Sequence, residues 1–335
     1  MKFCFQLLPH ANIRYRESLD ALGLAELECL LSALKIESPV QTEQISGCSF
    51  LTFEADSLSS EQLYHLSRHS ALLLMCQQEG DLLRPLVKPS HDYLPADLAE
   101  VLKYKGKTSA VFTRMMINCA LAASDYFTLP APTVLDPMVG RGTTCFTALQ
   151  CGMNAVGVDL DRKDLKEAAD YFSRYLQYHK LKHSLRQGSR TVKGTAMPEA
   201  IYTLANSKER YQAGDTRSLS LYLGDTALTG ELMRKTPAHV IVADLPYGVQ
   251  HAPQAGRKTE SFEQLLRRAL KGWKSALKPG GAIALSFNAL TLPRKKLLEL
   301  VQEAGYTPME GGAYDRFEHF VEQAVTRDVV IARKG

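Results

Sequence analysis

The sequence predicts an α/β protein built on a mostly parallel, doubly wound sheet, preceded by a small α+β unit. Three observations predict this. From about residue 108 onward, short apolar strands alternate with amphipathic helices, the pattern of a parallel sheet covered on both faces. The first ninety residues lack that rhythm, and Pro85, Pro89 and Pro95 separate the two regions. With 335 residues, 45% of them hydrophobic, the chain has material for one large core or two ordinary ones.

Taken in order, Phe3 to Leu8 reads as an apolar opening strand. A leucine-rich helix follows, with Leu27, Leu30, Leu31 and Leu34 at i, i+3, i+4 and i+7 on one face. Ser49 to Phe53 is the next strand. A further helix starts near Ser60, capped by Ser59 or Ser60, with Glu61 in its first turn. This order suits part of a ferredoxin-like sandwich. We assign 1–90 to a first domain, a linker near 85–100, and 91–335 to a second domain. There a helix covers Ser109 to Ser124 and ends before Pro130-Ala131-Pro132. Strands are expected at 133–136, 154–159, 219–224, 238–243, 281–287 and 327–332. Helices are expected at 143–151, 162–178, 261–276 and 292–304, the last with Leu297, Leu300, Val301 and Ala304 on one face and Gly305 as its stop. Residues 174–210 interrupt the alternation with eight Lys or Arg against Glu199 and Glu209.

Composition excludes several classes. No apolar run approaches the ~20 residues needed to span a bilayer, and the start lacks a signal peptide's apolar core. Cys4, Cys29, Cys48, Cys76, Cys119, Cys145 and Cys151 form no Cys-x-x-Cys pair. They read as buried reduced thiols of a cytoplasmic protein, without a disulfide frame or zinc site. The net charge of +4 divides into −4 over residues 1–90 and +8 over the remainder. That excess is compatible with a polyanionic partner and does not demand one.

Four acids mark the chemistry. Thr133-Val134-Leu135 is a buried-strand signature with Asp136 at its carboxyl end. Pro137, Met138, Gly140 and Gly142 make the turn beyond it, where the glycines let backbone approach a ligand. Thr143 or Thr144 opens a helix whose free N–H groups favour an anionic group. The next strand ends in Asp159, 23 residues on, near the ~20 expected for a ribose-binding acid; Asp161 is a close rival. Gly224-Asp225 closes a third strand, and Asp225 is preferred over Asp215 because a strand leads into it. A dinucleotide-dependent dehydrogenase would need glycine at 145, where Cys145 stands. His239 to Ala243 is a fourth strand, closed by Asp244. In a doubly wound sheet ligands sit beyond the strands' carboxyl ends, near the switch point, so all four acids can face one crevice.

Asp244-Leu245-Pro246-Tyr247-Gly248 resembles the (Asn/Asp)-Pro-Pro-Tyr motif of amino-group methyltransferases, and 134–144 resembles their S-adenosylmethionine loop. Together they resemble the class I enzymes that make N2-methylguanosine in tRNA and carry an N-terminal, RNA-binding THUMP-type domain. The likeness covers about 105–335. It includes Thr108-Ser109 and the helix Phe112 to Asn118, a segment that in the family helps close over the cofactor. The resemblance implies a Rossmann-like class I methyltransferase fold behind a small ferredoxin- or THUMP-like domain. It implies S-adenosyl-L-methionine held by Thr108, Asp136, Pro137, Met138, Gly140, Gly142, Thr143, Asp159 and Asp225. Catalysis falls to Asp244, Leu245, Pro246 and Tyr247, with no metal.

The residue types suit that chemistry. An aromatic amine shares its lone pair with the ring and is a poor nucleophile. The Asp244 carboxylate and the Leu245 carbonyl can accept its two N–H groups and favour an attacking, pyramidal nitrogen. Tyr247 offers a face for base stacking, worth about 1–3 kcal/mol. Leu245 departs from the family's proline, although Pro246 still biases it toward extended backbone. The expected partner is RNA, tRNA first; an activating protein subunit or a homodimer is left open. The acidic first domain is an odd surface for gripping phosphates. Residues 174–210 are therefore read either as the RNA contact or as a solvated helical excursion. Three alternatives stand: a DNA adenine or cytosine amino-methyltransferase acting on a flipped base, a protein glutamine methyltransferase, and a noncatalytic RNA-binding protein of this fold. His251 and Phe317, His319 and Phe320 are weaker candidates for the substrate pocket, and Trp273 reads as packing.

Overall fold

In the computed structural model, residues 1–9, 13–104, 106–246 and 260–335 are described, side chains 13–17 excepted. The first region holds β1 (Lys2–Leu7), α1 (Ile13–Ala33), β2 (Gln41–Ile45), β3 (Cys48–Glu54), α2 (Ser60–Leu66), β4 (Leu72–Glu79) and β5 (Leu82–Pro85). The strands form one antiparallel sheet in the order β2-β3-β1-β4-β5. Ser59 caps α2 with a reciprocal Gln62 bond, as its sequence position suggests. The edge strands β2 and β5 escape sequence reading because Gln41–Ile45 and Leu82–Pro85 are polar or exposed and bury no face of their own.

The second region continues with α3 (Ala110–Ala122), β6 (Thr133–Asp136), α4 (Thr143–Gln150), β7 (Asn154–Asp159), α5 (Arg162–Tyr178), β8 (Lys182–Val192), β9 (Thr195–Ala205), α6 (Lys208–Gln212), β10 (Arg217–Leu223), α7 (Thr229–Leu232) and β11 (Ala238–Asp244). From residue 260 onward come α8 (Phe262–Ala276), β12 (Leu277–Asn288), α9 (Arg294–Glu303), β13 (Thr307–Pro308), β14 (His319–Glu322) and β15 (Val325–Arg333). The sheet order is β13-β15-β12-β11-β6-β7-β10-β9-β8, with β14 on β15. The central five, β10-β7-β6-β11-β12, are parallel. Numbered by appearance among the parallel strands, they run 3-2-1-4-5, a doubly wound order whose direction reverses between β6 and β11. Antiparallel β15 lies between β12 and β13. This is the Rossmann-like, mostly parallel doubly wound sheet expected from the sequence, preceded by a small antiparallel α+β unit.

Alternation along each central strand fills two cores. Val134, Val240, Val242, Ala282 and Ala284 face a layer that holds Phe112 and Met116 of α3, Phe146 of α4 and Phe172 of α5. Leu135, Ile241, Ala243, Ile283 and Leu285 face a layer built on Leu266, Leu270 and Trp273 of α8 and Leu297 and Leu300 of α9. Trp273 is fully buried and donates Nε1–H to Thr226 Oγ1 at 2.9 Å, so it packs as read.

The first of these cores also takes in Phe3, Phe5, Leu27, Leu30 and Leu31 from the N-terminal region. Polar contacts reinforce the join. Buried Glu26 of α1 accepts from Asn118 Nδ2 of α3 at 2.7 Å and from Ser70 N at 2.9 Å. Arg68 donates to the Phe127 carbonyl at 2.9 Å. Among the described residues, the stretch after Pro85 has no helix or strand before α3. It is nonetheless packed: Tyr93, Leu94, Leu98 and Ala99 are buried, and Tyr93 N and Leu94 N both donate to the Gln150 carbonyl.

Residues 174–210 depart from the helical reading. After α5 ends at Tyr178, β8 and β9 form an eleven-residue-arm hairpin that widens the sheet by two antiparallel strands. Thr191-Val192-Lys193-Gly194-Thr195 carries the turn, with Lys193 and Gly194 at φ +48° and +80°, the left-handed pair of a tight hairpin. Polar side chains along β8 mask a strand that has only one neighbour and an exposed face.

Candidate active site

Strand register assembles the site. Val240 and Ile241 of β11 lie opposite Val134 and Leu135 of β6, so Asp136 and Asp244 close neighbouring strands on either side of the switch point. Asp136 lies opposite Gly157 of β7, which places Asp159 two residues further out on that strand. The Asp159 carbonyl accepts Gly224 N at 2.8 Å, which ties the end of β10, and hence Asp225, to the same rim.

The cofactor-loop candidates fall together around β6. Buried Asp136 accepts the Met138 N–H at 3.0 Å and a hydrogen bond from the Thr144 hydroxyl. Pro137 is buried, and Met138 and Gly140 are half-buried. Gly140 N donates to Asp159 Oδ2 at 2.7 Å, which locks the loop to β7. Gly140 and Gly142 sit at φ +49° and +93°, left-handed backbone that glycine adopts freely. A Cβ on Gly142 would meet the Phe146 ring at 2.9 Å, whereas one on Gly140 would meet nothing within 4 Å. Gly142 is thus fixed by packing, and Gly140 borders open space. Thr143 begins α4, and its hydroxyl pairs with the Tyr104 hydroxyl at 2.9 Å.

Burial governs the acids. It pushes the Asp136 carboxyl up to about 7, with the nearby Asp159 and Asp244 charges adding in the same direction. Burial also raises Asp159, although the Asp161 and Gly140 N–H groups oppose the rise. The carboxylates share a crevice that disfavours negative charge, an environment that a cationic ligand relieves. Asp161 is committed elsewhere: it caps α5 by accepting the Lys163 and Asp164 N–H groups. Asp225 accepts Ala227 N at 2.9 Å and Arg268 Nη1 at 2.8 Å, so its position is set by a short helical turn and an ion pair.

At Asp244 the structure adds two groups. Thr108, one of the residues expected at the cofactor, donates its hydroxyl to Asp244 Oδ2. Arg327 of β15 brings Nη2 to 3.8 Å from the same oxygen and donates to Thr108 Oγ1 at 3.3 Å. The guanidinium lies 4.9 Å from the Phe112 ring centroid, which orients its plane. Sequence reasoning missed Arg327, because its approach depends on β15 pairing across β12, with Arg327 opposite Asn288. It also missed Tyr104, whose half-buried ring carries the Arg141 guanidinium at 4.8 Å and whose phenol is raised by burial, with Asp244 and Asp136 contributing. Nothing local to Lys103-Tyr104 signals either contact.

Leu245 is buried, and its N–H donates to the Ser286 carbonyl at 2.8 Å. Proline has no N–H to make that bond, so the residue that departs from the motif extends the β11–β12 ladder by one step. Pro246 is half-buried at the rim. Tyr247 and His251 lie outside the described residues. Phe317 is buried; His319 is buried against Phe112 at 5.2 Å between ring centroids, and Phe320 is 45% exposed.

No family model matches the chain, and no curated protein matches it either. Among solved structures it is similar to TrmN from Thermus thermophilus, with 18% identity over 89% of this chain and 60% of that one and a TM-score of 0.40. It is similar to a TehB-like SAM-dependent methyltransferase from Corynebacterium glutamicum, with 16% identity over 61% of this chain and 81% of that one and a TM-score of 0.35. A third likeness is an rRNA methylase from Streptococcus thermophilus, with 12% identity over 69% of this chain and 99% of that one and a TM-score of 0.36. The chain spans 60% of the length of the Thermus protein. The strand order and site geometry given above stand independently of these likenesses.

Proposed function

We propose that this chain transfers a methyl group from S-adenosyl-L-methionine to an exocyclic amine of a nucleobase in RNA, with N2 of guanosine in tRNA as the substrate. One observation carries the reading. The Asp244 carboxylate closes the strand next to the one that ends in Asp136 and the Gly140–Gly142 turn, so an amine-binding motif and a cofactor loop share one crevice.

The donor set fits S-adenosylmethionine. Burial and the charges of Asp159 and Asp244 all oppose ionisation of Asp136; a ligand bearing a sulfonium and an ammonium offsets that cost. Open space at Gly140 admits a ligand against backbone. Asp159 stands at the strand end suited to ribose hydroxyls, and the α4 N-terminus at Thr143 suits a carboxylate. When bound, the sulfonium supplies an activated methyl group. The chain's own work is placement. Asp244, held by Thr108 and Arg327, accepts one amine N–H. The Leu245 carbonyl accepts the other, its residue anchored through Ser286. Tyr247 stacks on the base. An in-line nucleophile then supplies much of the rate, and the Asp244 carboxylate, which accepts that N–H, takes the proton the amine releases as the new N–C bond forms.

The N-terminal sheet is read as a THUMP-like module of a domain covering 1–90. Its shared core with the catalytic region holds it in fixed relation to the crevice. The test is transfer of labelled methyl to unmodified tRNA, total small RNA, duplex DNA and protein, with Asp244→Ala as control. Label in tRNA that digests to N2-methylguanosine and vanishes in the variant supports the reading. Label confined to DNA or protein overturns the substrate class. Tight cofactor binding without transfer to any of them overturns the assignment of catalysis to this chain alone.

A further inference from the structure

The excess charge of 174–210 is not spread evenly along the hairpin. Arg186 and Arg190 both face Glu199, at 2.8 and 3.5 Å. Lys193 pairs with Glu231 at 2.9 Å, and Arg210 lies 3.6 Å from Asp215. By contrast, Lys180, Lys182 and Lys208 make no ion pair among the described residues. These three lysines line one cleft of about 450 Å³, together with His179 and His183. The cleft lies where α5 ends, β8 begins and α6 starts. Lys180 stands at φ +52° in the turn that follows α5. Tyr178, the last residue of α5, is 83% exposed beside it. Asp97 lies 3.9 Å from His179, and Glu209 follows Lys208 in α6.

We propose that this cleft binds the phosphodiester backbone of the RNA substrate, with Tyr178 as a stacking surface for an unpaired base. Three uncompensated ammonium groups around an open cleft match a polyanion, and an exposed aromatic among lysines suits a nucleic-acid strand better than an acidic peptide. The proposal rests on the RNA-methyltransferase reading for the identity of its partner. It also constrains that partner. The helix α5 begins next to Asp159 and runs 17 residues to the cleft, about 25 Å at ~1.5 Å per residue. Lys182 and Ala205 pair at the end of the sheet remote from Asp159, Leu223 and the crevice. Only a macromolecule reaches both sites at once, so the cleft contributes to recognition of a folded RNA and contributes nothing to a nucleotide or a short oligomer.

The experiment measures binding of the whole protein to an unmodified tRNA transcript by fluorescence anisotropy across a salt series. Wild type is compared with the triple Lys180→Gln, Lys182→Gln, Lys208→Gln and with the triple arginine variant at the same positions. Arg186→Gln with Lys193→Gln removes charges that are already paired. Three phosphate contacts account for a slope of roughly 2 to 3 in log affinity against log salt, and hence for roughly 20- to 40-fold in affinity between 50 and 200 mM. The proposal expects the glutamine triple to lose that slope, the arginine triple to retain it, and the paired-charge control to change it by less than one. Cofactor binding, measured by calorimetry, stays within twofold in all variants. An unchanged slope in the glutamine triple overturns the proposal even if methyl transfer to tRNA proceeds. Loss of binding to anionic lipid vesicles with RNA binding unchanged overturns it in favour of a membrane contact. A lysine-dependent slope in a protein that methylates no RNA supports the cleft and removes the catalytic reading instead. Should the triple unfold, Lys182→Gln and Lys208→Gln singly decide the matter, each expected to lower the slope by roughly 0.7 to 0.9.

Discussion

Asp136→Asn should leave the ligand-free protein more stable in alkali while it weakens the hold on S-adenosylmethionine. Asp136 is 3% exposed, and burial pushes its carboxyl up to about 7. A free aspartate titrates near ~3.9. The folded state therefore holds a proton that the unfolded chain has released throughout the interval between those values. Stability falls as pH rises wherever the native state binds more protons, so this group erodes folding from about pH 4 to 7 and its full cost persists above. Integrated between pH 5 and 8, the loss is on the order of 2–3 kcal/mol. Asparagine keeps the shape, can accept from Met138 N and can bond Thr144, but it has no charge to bury. The assay is urea unfolding of wild type and variant at both pH values without ligand. The variant should gain about 2–3 kcal/mol relative to wild type on going from pH 5 to 8. Calorimetry should then show weaker cofactor binding in the variant at pH 8, since the anion that offsets the cationic ligand is gone. In wild type, affinity should decline as pH falls below about 7. A variant-minus-wild-type difference that is flat across the pH range would refute the reasoning, because it would mean that Asp136 is not held protonated by burial.

Three further outcomes follow from the geometry. Thr108→Val and Arg327→Lys, which remove or shift the groups seated on Asp244 Oδ2, should each lower kcat on tRNA roughly ten- to a hundredfold, about 1.4–2.7 kcal/mol of barrier. Cofactor affinity should hold within twofold; a change in cofactor affinity alone would return Thr108 to the cofactor site. Leu245→Pro restores the usual motif yet deletes the bond to the Ser286 carbonyl; it should destabilise the fold by about 1–3 kcal/mol in urea unfolding and should not raise turnover. Gly142→Ala forces a Cβ against Phe146 at φ +93° and should cost about 1–3 kcal/mol of stability. Gly140→Ala meets no protein atom within 4 Å, so it should cost less in stability and more than tenfold in cofactor affinity.

The heart of the central sheet was legible because β6, β7 and β11 are apolar along most of their length and each ends in an acid. Val134-Leu135-Asp136, Val156-Gly157-Val158-Asp159 and Val240-Ile241-Val242-Ala243-Asp244 each carry the two-faced burial of a parallel strand. That signal is local, so a crevice shared by Asp136, Asp159 and Asp244 could be expected from it, although their order around the rim could not. The hairpin β8–β9 was not legible for the opposite reason. Its outer strand is exposed along nearly all its length, and alternation has nothing to report where neither face is buried. Charge counting located the segment but could not say that half its cations are already neutralised by Glu199, Glu231 and Asp215.

The same distinction explains Thr108 and Arg327. The helix after Thr108 could be placed from its residues, but the partner of its hydroxyl could not, because Asp244 is 136 residues away and Arg327 approaches both from a strand that runs antiparallel across β12. A motif describes groups that touch substrate. The groups that aim them come from wherever the sheet's topology delivers a side chain, and they are free to differ between chains of one fold. Leu245 illustrates the consequence. As a departure from the usual proline it argues against catalysis when the pentapeptide stands alone. Within the sheet it supplies an N–H that proline lacks, fixes the backbone by a 2.8 Å ladder bond instead of a ring, and leaves its carbonyl on a peptide anchored to β12. The departure from the motif is therefore a change in how rigidity is achieved, and it removes the main sequence argument for a chain that keeps the fold without the reaction.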